Sequence, residues 1–319
     1  MTPCRISVAV AAYRGEAFIG EQLASIAAQT VVPDEVVICD DSPDDLTENA
    51  VMKHRETLNI RYFRNPVALG VAGNFNRALS LCAGEVVFLC DQDDVWYPEK
   101  VARMMKLFDL GAQAVFCDSD ITDGSGKTSG FTHLQSRGYG LLRTLPEGKY
   151  LTQFADSCRR FPAAGHDMAL SGALLKKLLP LPELDACHDN YLGVAAAALD
   201  EWFIVPQSLG IFRRHGRNSS GAGEKISFAG QLQAARKSVK ENTFQWNADL
   251  FQAVIDRLPE LPADRQQMLS QRQQHSASRA AMNKGFFRRL PLVLHEWLSG
   301  NYSRFGRGWK NLVQDIFLR

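Results

Sequence analysis

The first 118 residues alternate short apolar, β-branched runs with segments of helical periodicity, and few architectures accept that alternation. Ile6–Tyr13, Glu35–Cys39, Ile60–Arg64, Glu85–Cys90 and Ala114–Cys117 read as strands. Between them, Ala17–Gln29 sets Phe18, Ile19, Leu23, Ile26 and Ala27 on one helical face. Helices are also expected around Asp44–Glu56, over Val71–Ala83 and over Pro98–Leu110. Strands separated by helices of this length imply βαβ units, hence an α/β chain with a mainly parallel sheet flanked by helices. In such a sheet, ligands bind beyond the carboxyl ends of the strands. The polar residues that follow each strand therefore hold the functional information.

Residues 119–165 are less regular, with turn signals at Asp123–Gly126 and Pro146–Gly148. Ala169–Leu179 and Tyr191–Leu199 predict helices, and Trp202–Val205 a short strand. From about Glu224 a helical pattern runs to the end, broken at Pro259, Pro262 and Pro291. A composition of 45% hydrophobic and 22% charged residues excludes collagen-like and wholly disordered chains. No apolar run approaches the roughly 18 residues of a spanning helix. Ile6–Tyr13 is too short for a signal-peptide core, and Arg14-Gly15-Glu16 follow where small cleavage-site residues belong, so a cytosolic chain is expected. The cysteines at 4, 39, 82, 90, 117, 158 and 187 form no CxxC pair, and are expected as buried thiols rather than zinc ligands.

A net charge of +1 conceals an asymmetry. Residues 1–125 hold 10 Lys and Arg against 19 Asp and Glu, whereas residues 271–319 hold 9 against 2. An acidic half suits a metal cation, and a basic tail suits an anionic surface. Two acidic clusters stand at strand ends: Asp40-Asp41, and Asp91-Gln92-Asp93-Asp94. Helix capping accounts for Asp44 and Asp45. It does not account for three carboxylates in four residues, whose mutual repulsion a hard divalent cation such as Mg²⁺ or Mn²⁺ would relieve. Gly124-Ser125-Gly126-Lys127-Thr128 ends like a phosphate-binding loop, but Ile121 stands where that motif needs glycine. The Asn218-Ser219-Ser220 sequon has no meaning in a cytosolic chain. His188-Asp189 precedes an apolar helix, where Asp189 is either its N-cap or a general base. The Arg213-Arg214-His215 cluster is either exposed charge or a binder of diphosphate oxygens. His166-Asp167 repeats the second dipeptide between different neighbours.

These motifs, in this order, resemble the bacterial family-2 glycosyltransferases of the GT-A fold over about residues 5–220. Ala11-Ala12-Tyr13 resembles the close of the family's first strand, with Arg14 where Asn is usual. Ala24–Pro33 resembles its "S(I/L)xxQT" helix end, and Val37–Ser42 its nucleotide-base site. Asn65–Phe75 resembles the loop and helix before the metal site, and Phe88–Trp96 the DxD site itself. "DQDDVW" followed by Pro98 and Lys100 resembles the rhamnosyltransferase-like branch. His188-Asp189-Asn190-Tyr191 is similar to that branch's "HDWW", and Phe212–Asn218 to its "YRQHGxN".

The resemblance implies a catalytic domain over residues 1–223, with a nucleotide-binding half (1–118) and an acceptor-binding half (119–223), followed by a helical extension over 224–319. It implies inverting transfer of a sugar from a nucleotide-diphosphate donor to a saccharide or lipid-linked saccharide in O-antigen- or capsule-type assembly. Rhamnose from dTDP-rhamnose is the first expectation. A UDP-hexose or UDP-N-acetylhexosamine donor, or a non-catalytic nucleotide-sugar-binding protein, is the alternative. Ala11, Tyr13, Asp40, Asp41, Asn74, Asp91 and Gln92 are expected at the nucleotide. Asp91, Asp93 and Asp94 are expected at Mg²⁺ or Mn²⁺, Asp189 as catalytic base and His188 beside it. Gly165, Trp96, Arg214 and His215 are expected at the diphosphate or acceptor.

The basic, aromatic C-terminal ~50 residues admit a peripheral contact with the inner face of the cytoplasmic membrane. They equally admit packing on the catalytic domain or a dimer contact. No nucleic-acid module accompanies them, and a nucleotidyltransferase is set aside because no glycine-rich, Arg-containing loop follows the first strand.

Overall fold

The computed structural model describes residues 5–123, 126–149, 158, 161–215, 241–282 and 286–317. Cys4, the Gly124-Ser125 pair, Arg217, the Asn218 sequon and the helical start at Glu224 lie outside them. The chain forms two compact units, one comprising residues 1–151, 162–192 and 201–224, the other residues 152–161, 193–200 and 225–319.

The first unit is built on one mixed sheet. Its first strands are β1 (Ile6–Ala12), β2 (Glu35–Asp40), β3 (Ile60–Arg64), β4 (Val86–Asp91) and β5 (Val95–Trp96). They are followed by β6 (Ala114–Thr122), β7 (Thr128–Thr132), β8 (Gly148–Lys149), β9 (Met168–Ser171) and β10 (Trp202–Arg213). The order is β3-β2-β1-β4-β9-β6-β10-β5, with β7 on β6 and β8 on β10. Helices α1 (Ile19–Ala27), α2 (Leu46–Met52), α3 (Gly70–Leu81) and α4 (Lys100–Asp109) connect the early strands. Strands β1 to β4 pair in parallel, so β2 and β3 lie to one side of β1 and β4 to the other. This reversal of strand order opens a crevice at the carboxyl ends. The register sets Ala11 opposite both Cys39 and Asp91, and Ala12 opposite Asp40, so both acidic clusters emerge at one level.

β2 is buried throughout, and β1 and β4 nearly so. That is the physical reason for their unbroken apolar runs, since strands of a parallel sheet are covered on both faces. Ile19, Leu23 and Ile26 of α1 pack on Val8, Val10 and Phe88 in this core. Of the cysteines described, Cys39, Cys90, Cys117, Cys158 and Cys187 are buried and Cys82 is partly so; all are unbridged.

The later half differs from the pattern expected. Ala169 and Leu170 belong to β9, which runs antiparallel between β4 and β6, and the helix that follows, α6, spans only Gly172–Leu178. A four-residue apolar run has no period that separates strand from helix. The start of α6 is set by the Ser171 side chain, which accepts from Leu174 N at 3.1 Å. β10 runs through Pro206, with register shifts at Ile204–Ser208 and Ser208–Ile211 that accommodate it. Gly126-Lys127-Thr128 lies in the hairpin joining β6 to β7, where Asp123 N donates to Lys127 O at 2.9 Å, and not at a helix start. A short capped helix, α5 (His133–Ser136), precedes α6, and α7 spans His188–Ala198.

The second unit contains α8 (Thr243–Arg257), α9 (Ala263–Ala281), α10 (Phe286–Leu298), α11 (Asn301–Phe305) and α12 (Trp309–Phe317). Pro291, expected as a break, lies inside α10. It removes a single backbone donor on a side that faces solvent.

Gly84 marks where the start of β4 approaches β1. A Cβ there would sit 2.5 Å from Ser7 Oγ, 2.7 Å from Ser7 N and 2.8 Å from Arg5 O. Backbone atoms held in a sheet cannot yield cheaply, so Gly84→Ala is expected to destabilise the protein by about 1–3 kcal/mol in urea unfolding. An unchanged midpoint would contradict this packing.

Candidate active site at the carboxyl edge of the sheet

The wall beyond β1 and β2 is tied together by its own polar side chains. Asp40 Oδ2 accepts from the Tyr62 hydroxyl at 2.6 Å and Oδ1 from Ser42 N at 2.8 Å. Asp41 accepts from Asn65 Nδ2 at 2.5 Å and from the backbone N–H groups of Leu69 and Gly70 at 3.0 Å each, capping α3. Asn74 Oδ1 accepts from Asn65 at 2.9 Å, while its Nδ2 donates to Ala12 O at 3.0 Å. Asp40, Asp41 and Asn74 thus fix the shape of the wall. Gln92 spans to Tyr13, accepting from Tyr13 N and donating to Tyr13 O, both at 2.9 Å. Gly15 makes room for it, because a Cβ there would lie 2.2 Å from Gln92 Oε1. Gln92 therefore secures the backbone beside Ala11, and the Tyr13 ring stays open, half exposed under the Arg14 guanidinium.

Beyond β4 the acids gather around one buried imidazole. His166 Nδ1 lies 3.5 Å from Asp91 and 3.4 Å from Asp94, and Nε2 lies 3.2 Å from Asp167. Burial opposes charge on His166, but Asp167, Asp94 and Asp91 outweigh it and hold the ring protonated well above its ordinary range. Lys100, also buried, donates to His166 O at 2.8 Å and stands 3.8 Å from Asp167, over the Trp96 ring. Burial also works against ionised Asp167, yet His166, His133 and Lys100 keep it well below the carboxylate range. Asp91 is lowered because His166 overcomes its burial. Asp93 is raised by burial and by Asp91, against the pull of His215 Nε2 at 2.8 Å. Asp94 is pushed up to about 8 by burial, with repulsion from Asp91 and Asp93 adding to it and His166 opposing.

Asp94 Oδ1 accepts from Arg213 N, while its Oδ2 is buried without a hydrogen bond. Asp91 and Asp94 have ligand-capable atoms within 4.8 Å of one another and of His166. An orphaned carboxylate oxygen among crowded acids fits a hard divalent cation. Because both His166 nitrogens face carboxylates, the donors to such a cation are the aspartates, and the imidazolium balances their charge from beneath.

His188 and Asp189 open α7. The His188 ring stacks on Phe75 with centroids 4.1 Å apart. Asp189 Oδ1 accepts from the backbone and side-chain amides of Asn190 at 2.7 and 2.9 Å. Gly165 passes directly beside them, since its Cβ would lie 2.7 Å from His188 Nε2 and 3.7 Å from Asp189 Cβ. Through Gly165 and His166, Asp189 therefore neighbours the acidic cluster. His215 stacks on Phe18 at 4.5 Å, and Arg214 N donates to Thr122 O, closing β10 onto β6.

Trp96 is buried, its ring tilted against Phe88 and its N–H without a hydrogen bond, so the structure places it in the core. Its size and apolarity favoured that burial from the outset. The Gln29-Thr30 pair that ends α1 braces the following turn: Gln29 Nε2 donates to Tyr97 O at 2.8 Å and Thr30 N to Pro98 O at 2.8 Å.

The residue that sequence reasoning passed over is His166. Its dipeptide with Asp167 matched His188-Asp189, but nothing local showed that it would lie between two distant acids. Ser119 and His133 complete its surroundings, with Ser119 Oγ 3.1 Å from Asp167 Oδ2 and His133 Nδ1 3.6 Å from it.

A strand-order reversal with clustered carboxylates at its mouth is the build of a nucleotide-diphospho-sugar transferase, and comparisons with known proteins agree. Glycosyl transferase family 2 matches residues 7–167, and the chain belongs to that family. An uncharacterized glycosyltransferase of Nostoc sp. is 26% identical over 221 residues, 67% of this chain and 66% of its own length. An Escherichia coli enzyme named UDP-Glc:alpha-D-GlcNAc-diphosphoundecaprenol beta-1,3-glucosyltransferase is 28% identical over 102 residues, 32% of this chain and 40% of that one. The chain thus spans just under two thirds of the first of these relatives and less of the second. S. aureus TarS in complex with UDP-GlcNAc superposes with a TM-score of 0.56 at 18% identity, covering 97% of this chain and 90% of that one. The Pyrobaculum calidifontis mannosyltransferase in complex with GDP-Man and Mn²⁺ gives 0.52 at 18% identity, covering 99% and 85%. The fold is GT-A, followed by C-terminal helices.

Two outcomes follow from this charge arrangement. Removing the buried cation in His166→Asn leaves Asp91, Asp94 and Asp167 facing one another, at an expected cost of about 3–5 kcal/mol in the metal-free protein. Mn²⁺ should recover part of that loss and raise the variant's melting temperature more than the wild type's. Equal Mn²⁺ shifts would contradict the compensating role. His133 is held neutral by burial, down to about 4, with Asp167 opposing. Its folded pKa is below its unfolded one, so its contribution is whole above about pH 6.5 and is lost as pH falls towards 4, about 3 kcal/mol in all. Urea unfolding of His133→Asn should show a shallower dependence on pH across that window.

Proposed function

We propose that the protein is an inverting, metal-dependent glycosyltransferase that moves a hexosyl group from a uridine-diphosphate donor to a lipid-linked saccharide in cell-surface polysaccharide assembly. The observation that carries this reading is that Asp91 and Asp94, at the end of β4, meet at the His166 ring, whose chain neighbour Gly165 lies against His188 and Asp189. Asp91 and Asp93 would hold Mg²⁺ or Mn²⁺, with Asp94 assisting. When bound, the ion neutralises charge that develops on the leaving diphosphate.

The chain's own groups do the remainder. Tyr13 offers its open ring to the nucleotide base above a backbone pinned by Gln92, against the wall shaped by Asp40, Asp41 and Asn74. Arg214 and His215, at the end of β10, close on the diphosphate oxygens. Asp189 takes the proton of the acceptor hydroxyl as that oxygen attacks the anomeric carbon from the face opposite the diphosphate. Its Oδ1 is held by Asn190, which leaves Oδ2 to act as base. His188, fixed against Phe75, positions that first turn of α7. Gly165 keeps the space beside Asp189 clear.

The uridine donor and lipid-linked acceptor are supported by the activity for which the E. coli relative is named and by the UDP-GlcNAc complex of TarS. The dTDP-rhamnose expectation is the rival reading.

Calorimetric binding of UDP and dTDP, each with and without Mn²⁺, to wild type and Asp93→Ala separates them. Metal-dependent UDP binding that Asp93→Ala loses is the expected result, and preference for dTDP would restore the rhamnosyl reading. Asp189→Asn should keep UDP binding while transfer falls about 10²–10⁴-fold. Full transfer activity in that variant would remove Asp189 from the mechanism.

A further inference from the structure

The outer faces of α10 and α12 combine large apolar side chains with cations and leave no acid at the surface. From Phe286 onward the sequence has two acids, Glu296 and Asp315. Both are engaged within the second unit. Glu296, buried, takes His275 Nδ1 at 2.5 Å and Asn301 Nδ2 at 2.9 Å. Asp315, fully buried, takes Arg279 Nε at 2.7 Å, Arg279 Nη2 at 3.0 Å and the Tyr302 hydroxyl at 2.9 Å. Arg288, Arg304, Arg307 and Lys310 remain exposed.

Along α10 the exposed Phe287, Leu290, Leu294, Trp297 and Leu298 recur at i, i+3, i+7, i+10 and i+11, one continuous face of a helix. The buried Arg289, Val293 and Glu296 occupy the opposite face, and Arg288 and His295 line one margin. On α12, Trp309, Val313 and Phe317 recur every fourth residue beside Lys310, while Leu312 and Ile316 pack inward with Met282, Val293 and Tyr302. Exposure reaches 86% at Phe287, 70% at Leu298, 69% at Trp309 and 72% at Phe317. Contiguous exposed apolar side chains of this size mark an interaction surface.

We propose that α10 and α12 are interfacial membrane-binding helices. They bury these rings and aliphatic chains at the headgroup level of an anionic bilayer and set Arg288, Arg304, Arg307 and Lys310 against lipid phosphates. Trp, Phe and Leu on one face, with basic residues at its margin, is the composition of a helix that lies in the interface plane. Neither helix spans: α10 has 13 residues and α12 has 9, and among the described residues no helix is long and apolar enough to cross a membrane. Charge selects the bilayer over a second copy of the chain. An isologous pair would bring the same cations together with no acid to meet them, whereas an anionic leaflet complements every one. The proposal stands apart from the donor and the transfer reaction, and its test reads neither.

The full chain should co-sediment with phosphatidylcholine vesicles containing phosphatidylglycerol, and about tenfold less with phosphatidylcholine alone. Leu294→Glu with Trp297→Glu should lower partitioning at least about tenfold, with an unchanged circular dichroism spectrum. Arg288→Glu with Lys310→Glu should abolish the preference for the anionic lipid. Quenching of the unmodified protein's tryptophan fluorescence by brominated acyl chains reads insertion without any substitution. Absence of vesicle binding by the wild type, absence of quenching, or partitioning of either double variant equal to that of the wild type on the anionic vesicles would overturn the proposal. So would a dimer in light scattering that Leu294→Glu with Trp297→Glu dissociates.

Discussion

The His166 imidazolium is the contact on which the carboxyl edge of the sheet depends. Asp91, Asp94 and Asp167 arrive from two strand ends and a 3₁₀ turn (Gly165–Asp167) into a space largely closed to water. Buried like charges at these distances repel too strongly to be tolerated uncompensated. One imidazolium with a carboxylate beside each nitrogen, together with buried Lys100, makes the assembly possible. The balance is incomplete, since Asp94 keeps an orphaned oxygen and its proton is bound unusually tightly. A site with residual affinity for positive charge is what a divalent cation needs.

The opposite edge of the same sheet shows what a fully compensated acid looks like. Glu35, buried at the start of β2, accepts from the Ser7 hydroxyl at 2.6 Å, Ala83 N at 2.7 Å and Arg61 at 2.8 Å. Burial alone would raise it, but these donors hold it below the usual carboxylate range. Glu35 and Asp94 are both buried carboxylates; only Asp94 has an oxygen with no donor. That difference separates an acid that fastens strands together from one available to a ligand.

Much of the early half was legible because its signals are local. Buried parallel strands write unbroken apolar runs, α1 writes a stripe, and the register of β1 with β2 and β4 brings Asp40 and Asp91 to one level. The later half was less so. β9 is four residues long and pairs antiparallel with strands far off in sequence, so Ala169-Leu170 passed for helix. The short strand expected over Trp202–Val205 continues through Pro206 to Arg213 because β6 pairs with it on both sides of the proline. Trp96 is expected at the diphosphate or acceptor from its motif, whereas the structure buries its ring against Phe88.

The sequence by itself determined the α/β alternation, the acidic clusters at two strand ends and the acid-poor, aromatic tail, because each is a property of consecutive residues and their period. Tertiary structure alone decided which acid is compensated, that His166 and not a neighbouring residue of Asp91 provides the charge, and that Glu296 and Asp315 turn inward and leave the outer faces of α10 and α12 basic and apolar. Those outcomes depend on Coulomb energies between residues tens of positions apart. Such energies are set by distance and burial, neither of which a linear pattern contains.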